Sequence, residues 1–190
     1  KYGIENKRVL KYRSLDPTSW LYRKEIWPPK NRIEEISTGS IIIRESEYMA
    51  SYLKDHIDFE KFALNIASEY PDKKVVLLKR YLNVEKMVDN LFIYGGEYFG
   101  PNVLEHAHAF IGGGGTMNVE AILLGIKTVS VFSYKTDVEE YLLNKGYIKK
   151  ETDPLRIKEY FEKNENVKIP KLPDASAEIY KLLRSLKLNI

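Results

Sequence analysis

Short, wholly apolar runs alternate along the chain with longer stretches in which apolar residues recur every three or four positions. Five runs stand out: Ile41–Ile43, Val75–Leu78, Leu91–Ile93, Ala109–Ile111 and Thr128–Phe132. Most are continuous rather than two-periodic, the pattern of strands buried on both faces of a parallel sheet. Helical spacing lies between them, in Phe59, Phe62, Ala63, Ile66 and Ala67, in Val103–Ala107, in Met117–Leu124, and in Val138, Tyr141 and Leu142 before Gly146. Two further helices are predicted over 154–163 and 175–186, the second with Ile179, Leu182, Leu183 and Leu186 on one face. Alternating strands and helices predict an α/β fold with a doubly wound, mainly parallel sheet and right-handed crossovers.

Residues 1–39 do not share this alternation. They are dense in aromatics (Tyr12, Trp20, Tyr22, Trp27) and interrupted by Pro17, Pro28 and Pro29. The expected organisation is therefore a connector, or the remnant of a preceding domain, over 1–39, followed by a single α/β domain over 40–190. The chain opens on Lys1, and residues 1–11 read like the middle of something, so a piece of a longer protein is expected.

Composition narrows the partners. At 190 residues, 44% hydrophobic and 30% charged, the chain is long enough for one well-buried core. Thirty basic and 27 acidic residues give a net charge of +3, spread in mixed runs such as 158–163 rather than one basic stripe, which argues against nucleic acid. Without cysteine there is neither a disulfide nor thiolate chemistry, and the three histidines show no metal-ligand spacing, so no metal and no cofactor are expected. Apolar stretches of five or six residues are too short for a membrane span, and the expected location is cytoplasmic.

The most informative segment follows the fourth run. Ile111 leads into Gly112-Gly113-Gly114-Gly115-Thr116, and a helical pattern starts at once and stops at Gly125. Glycines let the backbone approach an anion closely, and a helix N-terminus offers unpaired N–H groups and a positive dipole end. Thr116 is placed to cap the helix or to donate its hydroxyl to a phosphate oxygen. A tight turn with a structural cap is the simpler alternative. The spacing fits neither a GxGxxG fingerprint nor a P-loop. Within 116–124, Glu120 is the single charged residue on an otherwise apolar helix. It must reach either a ligand such as a ribose diol or an internal partner, for which Arg44 and Arg80 are candidates.

Gly113-Gly114-Gly115-Thr116-Met117-Asn118-Val119-Glu120-Ala121, with Leu124-Gly125 and Thr128–Phe132, resembles the donor-nucleotide half of GT-B enzymes. The likeness is nearest to a largely archaeal, uncharacterised family related to UDP-N-acetylglucosamine 2-epimerases and glycosyltransferases, and it covers roughly residues 41–147. In that family strands end in arginine, as in Ile43-Arg44 and Lys79-Arg80. The resemblance implies a Rossmann-like nucleotide-binding domain whose partner is a UDP-type nucleotide sugar. The base would lie near Tyr98, Phe99 and Gly100, the diphosphate on Gly113, Gly114, Gly115 and Thr116, and the ribose on Glu120, with Arg44 and Arg80 neutralising phosphate charge. Tyr98 and Phe99 also read as ordinary packing aromatics, and the arginines as surface residues. The related epimerases carry a histidine before an Arg-Arg-Glu run, whereas Ile43-Arg44-Glu45-Ser46 has none nearby. The resemblance thus implies a glycosyltransferase-like enzyme completed by an N-terminal domain, or by a homo-oligomer, rather than an epimerase. The alternative is a non-catalytic nucleotide-sugar or partner-binding module. His56, His106 and His108 are expected to be structural.

Overall fold

The computed structural model describes residues 9–46, 57–133 and 136–186. Residues 1–8, within the atypical opening stretch, and His56 lie outside them. The chain divides into two compact units, one of residues 28–170 and one formed by the described parts of 1–27 and 171–190.

In the smaller unit the helix α1 (Thr18–Leu21) and a 3-10 turn over Lys24–Ile26 accompany a C-terminal helix. The Thr18 hydroxyl accepts from the Ala175 amide at 2.9 Å, and the Arg23 guanidinium pairs with Asp174 at 2.6 Å. The expected apolar face of that C-terminal helix stays largely open, with Ile179 and Leu186 exposed and Ala175 its buried residue.

The larger unit begins with α2 (Arg32–Ile36), started by a capping box in which Asn31 and Glu34 exchange side-chain and backbone hydrogen bonds. Then follow β1 (Ile41–Arg44), α3 (Phe59–Glu69), β2 (Val75–Leu78), β3 (Val84–Val88), β4 (Leu91–Gly95), α4 (Gly100–Leu104) and β5 (Ala109–Gly112). After these come α5 (Thr116–Leu123), β6 (Lys127–Ser130), α6 (Asp137–Asn144), β7 (Lys149–Lys150) and α7 (Pro154–Glu162); α8 (Ala175–Ser185) is the helix of the smaller unit. The sheet order is β3-β4-β2-β1-β5-β6-β7, parallel except where β3 runs antiparallel to β4. The expected α/β fold with a mainly parallel, Rossmann-like sheet is thus present.

All five predicted runs are strands, but the strict alternation of strand and helix fails between β2 and β4. There the chain turns through the edge strand β3, whose residues are mostly exposed, rather than through a helix. The fourth helix starts at Gly100, three residues before its apolar pattern does.

Along the central strands successive side chains enter two cores, one on each face of the sheet. Ile41, Ile43, Val75, Leu77 and Ile111 pack with Phe59, Phe62 and Ile66 of α3 and Ile157 and Phe161 of α7 on one face. Ile42, Val76, Phe92 and Phe110 pack on the other with Ile33 of α2, Val103 and Leu104 of α4, and Met117 and Ala121 of α5. Both faces being covered, the strands read as unbroken apolar runs. From β1 the chain proceeds outward to β2 and β4 on one side and to β5, β6 and β7 on the other. The order therefore reverses between β1 and β5, the place where open α/β sheets bind ligands at the C-terminal ends of their strands.

Candidate functional site

At that reversal, Arg44 ends β1 and the glycine segment follows β5. The two stay paired past the strands: the Gly113 amide donates to the Arg44 carbonyl at 2.9 Å, and the Ser46 hydroxyl donates to the Gly113 carbonyl at 3.0 Å. A Cβ on Gly113 would run into Ser46, so Gly113 serves by permitting this close approach, and its N–H is already engaged. Gly114 and Gly115 turn the chain with φ of +97° and +86°. A Cβ on Gly114 would lie 2.6 Å from the Phe132 ring, while Gly115 faces open space. Both the backbone conformation and the Phe132 contact therefore demand glycine at 114.

The cap differs from the expectation. Thr116 is the first residue of α5, and Gly115 holds the N-cap position without any side-chain cap bond. The hydroxyl of Thr116 is left exposed beside the first-turn amides. Of those amides, that of Asn118 donates to the Gly115 carbonyl at 3.3 Å, and a helix N-terminus of this kind favours an anion.

Glu120 sits one turn further along α5, 7% exposed. Four residues at about 1.5 Å each set it roughly 6 Å along the axis from Thr116. Its carboxylate packs on the backbone of Gly100: a Cβ there would come 2.7 Å from Glu120 Oε2. The loop after β4 is in turn pinned by a residue that sequence reasoning overlooked. Buried Glu34 accepts from the Phe99 amide at 2.8 Å through Oε1, and from the Asn31 amide at 2.7 Å and Asn102 Nδ2 at 3.3 Å through Oε2. The Asn31-x-x-Glu34 box was readable in the sequence, but its reach to Phe99, 65 residues away, was not.

Arg44 is partly consumed by the scaffold. Its Nη1 donates to the carbonyls of Leu78 at 3.1 Å and Lys79 at 2.8 Å, and the guanidinium lies 5.4 Å from the Tyr98 ring centre. Burial pushes the guanidinium below its usual pKa, with nearby Arg80 adding to the effect while Tyr98 and Glu45 oppose it; an arginine remains cationic throughout. Tyr98 is likewise raised by burial, countered by Arg44 and Arg80 and reinforced by Glu120. Arg44, Arg80, Tyr98 and Glu120 therefore share one electrostatic neighbourhood. The exposed Arg80 is held by its backbone, whose amide donates to Glu45 Oε2 at 3.0 Å, and Glu45 is itself paired with Lys79 at 3.0 Å.

Two more polar groups here escaped the sequence reading. Asn118 Oδ1 is buried without a hydrogen-bond partner, against the Cα of Gly112. At the end of β6, the Ser130 hydroxyl donates to Glu139 Oε1, while Glu139 Oε2 is buried and unpartnered. Burial pushes the Glu139 carboxyl above its ordinary value, with Ser130 and Lys150 pulling the other way. Neither had a local signal, because each becomes notable only through neighbours brought in by the sheet. Of the histidines, His106 is exposed 3.5 Å from Glu105, and His108 lies at the opposite edge of the sheet from this site.

The family model described as "Protein of unknown function (DUF354)" matches residues 7–179. No curated protein matches. Among solved structures, UDP-GlcNAc 2-epimerase of Methanocaldococcus jannaschii in complex with UDP-GlcNAc and UDP is similar with a TM-score of 0.72 at 13% identity, over 97% of this chain and 56% of that one. UDP-GlcNAc 2-epimerase from Neisseria meningitidis bound to UDP-GlcNAc gives 0.59 at 17% identity, over 88% and 52%. The glycotransferase of kitacinnamycin gives 0.51 at 16%, over 85% and 41%. At such identities the likeness is one of fold, and the chain spans about half the length of these structures.

Proposed function

The chain belongs to the DUF354 family, and from that premise we propose that residues 28–170 form the sugar-nucleotide-binding domain of a glycosyltransferase-like or epimerase-like protein, with a UDP-type sugar as ligand. The observation that carries the reading is the seating of the Glu120 carboxylate on the Cα of Gly100, one helical turn beyond the α5 N-terminus, which has no side-chain cap. A carboxylate there is spaced to accept from a ribose diol while the first-turn amides after Gly114 and Gly115 hold the diphosphate. The Thr116 hydroxyl and the Arg44–Arg80 pair add donors and positive charge. The Tyr98–Phe99 segment, fixed through Glu34, presents the base with an aromatic edge.

The fold likeness to proteins whose structures contain UDP-GlcNAc supports this ligand class. In a transfer reaction the same amides and guanidiniums would stabilise the negative charge that gathers on a departing diphosphate. The acid or base would come from a second domain or a second copy facing the glycine loop.

Calorimetric titration with UDP, UDP-N-acetylglucosamine, GDP, ADP and NAD tests the proposal, alongside Glu120→Ala. Expected is selective binding of uridine nucleotides, weakened roughly 10- to 100-fold in the variant, the loss of about 1.5–3 kcal/mol of charge-assisted hydrogen bonding. Equal affinity of parent and variant would overturn the ribose assignment. Nucleotide-sugar binding without turnover in the longest available form of the protein would favour the non-catalytic module.

A further inference from the structure

The opposite edge of the same sheet holds a cleft of about 790 Å³ that the nucleotide reading does not use. It lies where β2, β5 and β6 begin, a strand length of roughly 13 Å from the glycine loop at about 3.3 Å per residue. Lys73 precedes β2, His108 immediately precedes β5 and Lys127 opens β6, so three sequence-distant basic residues line one hollow floored by Ala107 and Ile126. The size falls within that of small-molecule sites, about 300–1,000 Å³.

The two halves of the cleft differ in how their charges are spent. On the α7 side, Lys158 pairs with Glu69 at 3.7 Å and lies 5.5 Å from the Tyr70 ring centre. On the other side, among the described residues, neither the Lys73 ammonium nor the His108 ring has a hydrogen-bond or carboxylate partner. Lys127 donates to the carbonyls of Phe161, at 3.1 Å, and Lys163, which holds its ammonium in place at the cleft wall. The same ammonium lies 6.0 Å from the Tyr160 ring centre, and the acids lining the cleft besides Glu69 are Asp72, Glu162 and Glu165. Burial lowers the His108 pKa from 6.5, and Lys73 and Lys127 lower it further, as expected of an imidazole set beside two cations.

We propose that this cleft is a second ligand site, independent of the nucleotide site, and that it takes a small phosphomonoester whose phosphate is held by Lys73, His108 and Lys127. Lysines act as point charges toward phosphate, and a neutral imidazole can donate one N–H to a phosphate oxygen. Asp72 and Glu162 on the rim supply acceptors for the hydroxyls of a polyol carried by that phosphate.

The test is a titration of the full chain with inorganic phosphate and with glycerol phosphate at constant ionic strength, following the histidine ring resonances by NMR, with sodium chloride as control. Saturable movement of His108 and a rise in its pKa are expected, with exposed His106 as internal reference. Lys73→Ala is expected to weaken binding roughly 5- to 10-fold and Lys73→Arg to retain most of it, the mark of one charge-assisted contact. Lys73 lies outside the core, and the same spectra report whether each variant is folded. Movement of His108 that is linear in phosphate, matched by chloride, or unchanged by Lys73→Ala overturns the proposal.

Discussion

Gly100→Ala isolates the contact on which the nucleotide reading depends. Gly100 is the first residue of α4 and does not have a positive φ, so alanine meets no backbone strain there. Helix propensity favours alanine by up to about 1 kcal/mol. The added methyl would stand 2.7 Å from Glu120 Oε2, against the roughly 3.4 Å at which ordinary contact begins, so the carboxylate must retreat by about 0.7 Å. Because that oxygen ends a flexible side chain, the helix can stay in place while the carboxylate moves. The two stability effects then nearly cancel, and the melting temperature is expected to stay within about 4 °C of the parent. Ligand binding has no such compensation. A displacement of that size breaks bidentate acceptance from a diol, costing about 1.5–3 kcal/mol, or roughly 10- to 100-fold in UDP affinity. Calorimetry with UDP and thermal unfolding on the same samples read both quantities. A variant that binds UDP as tightly as the parent would refute the argument, as would one that loses affinity only in proportion to a large loss of stability.

Two other sites yield predictions. Gly114→Ala forces a side chain into φ of +97° and against the Phe132 ring, and should cost about 1–3 kcal/mol of stability in denaturant unfolding as well as abolishing nucleotide binding; unchanged unfolding would show that the loop relaxes freely. Glu139 is raised above its ordinary value of 4.5, so the folded state favours its protonated form. Its contribution to stability is therefore most favourable below the unfolded value and declines as pH rises through the folded one, beyond which the penalty is constant. Glu139→Gln removes that ionisation, and its melting temperature relative to the parent should be higher at about pH 8 than at about pH 4. An equal or opposite difference would mean that the carboxylate is well solvated.

Much of the architecture was legible because burial on both faces of a sheet leaves a local trace. Ile41–Ile43 and Val75–Leu78 read as strands without knowledge of any partner, and the glycine turn into α5 announced itself through Gly114 and Gly115. Glu120 was conspicuous as the lone charge on an apolar helix. Other elements left no such trace. β3 has one hydrogen-bonded neighbour and mostly exposed residues, so its sequence, Val-Glu-Lys-Met-Val, carries no strand period. β7 is two residues long. The capping box of α2 does have a local trace, Asn31-x-x-Glu34, but nothing in it tells that Glu34 reaches Phe99.

What only the tertiary structure decided is which side chains meet. Gly100 and Glu120, Glu34 and Phe99, Asn118 and Gly112, and Lys73, His108 and Lys127 are brought together by crossovers that return the chain to neighbouring strand ends. Periodicity records whether a residue is buried, since that depends on its own face of its own element. It holds no record of which distant loop lies opposite, because that is set by strand order and register.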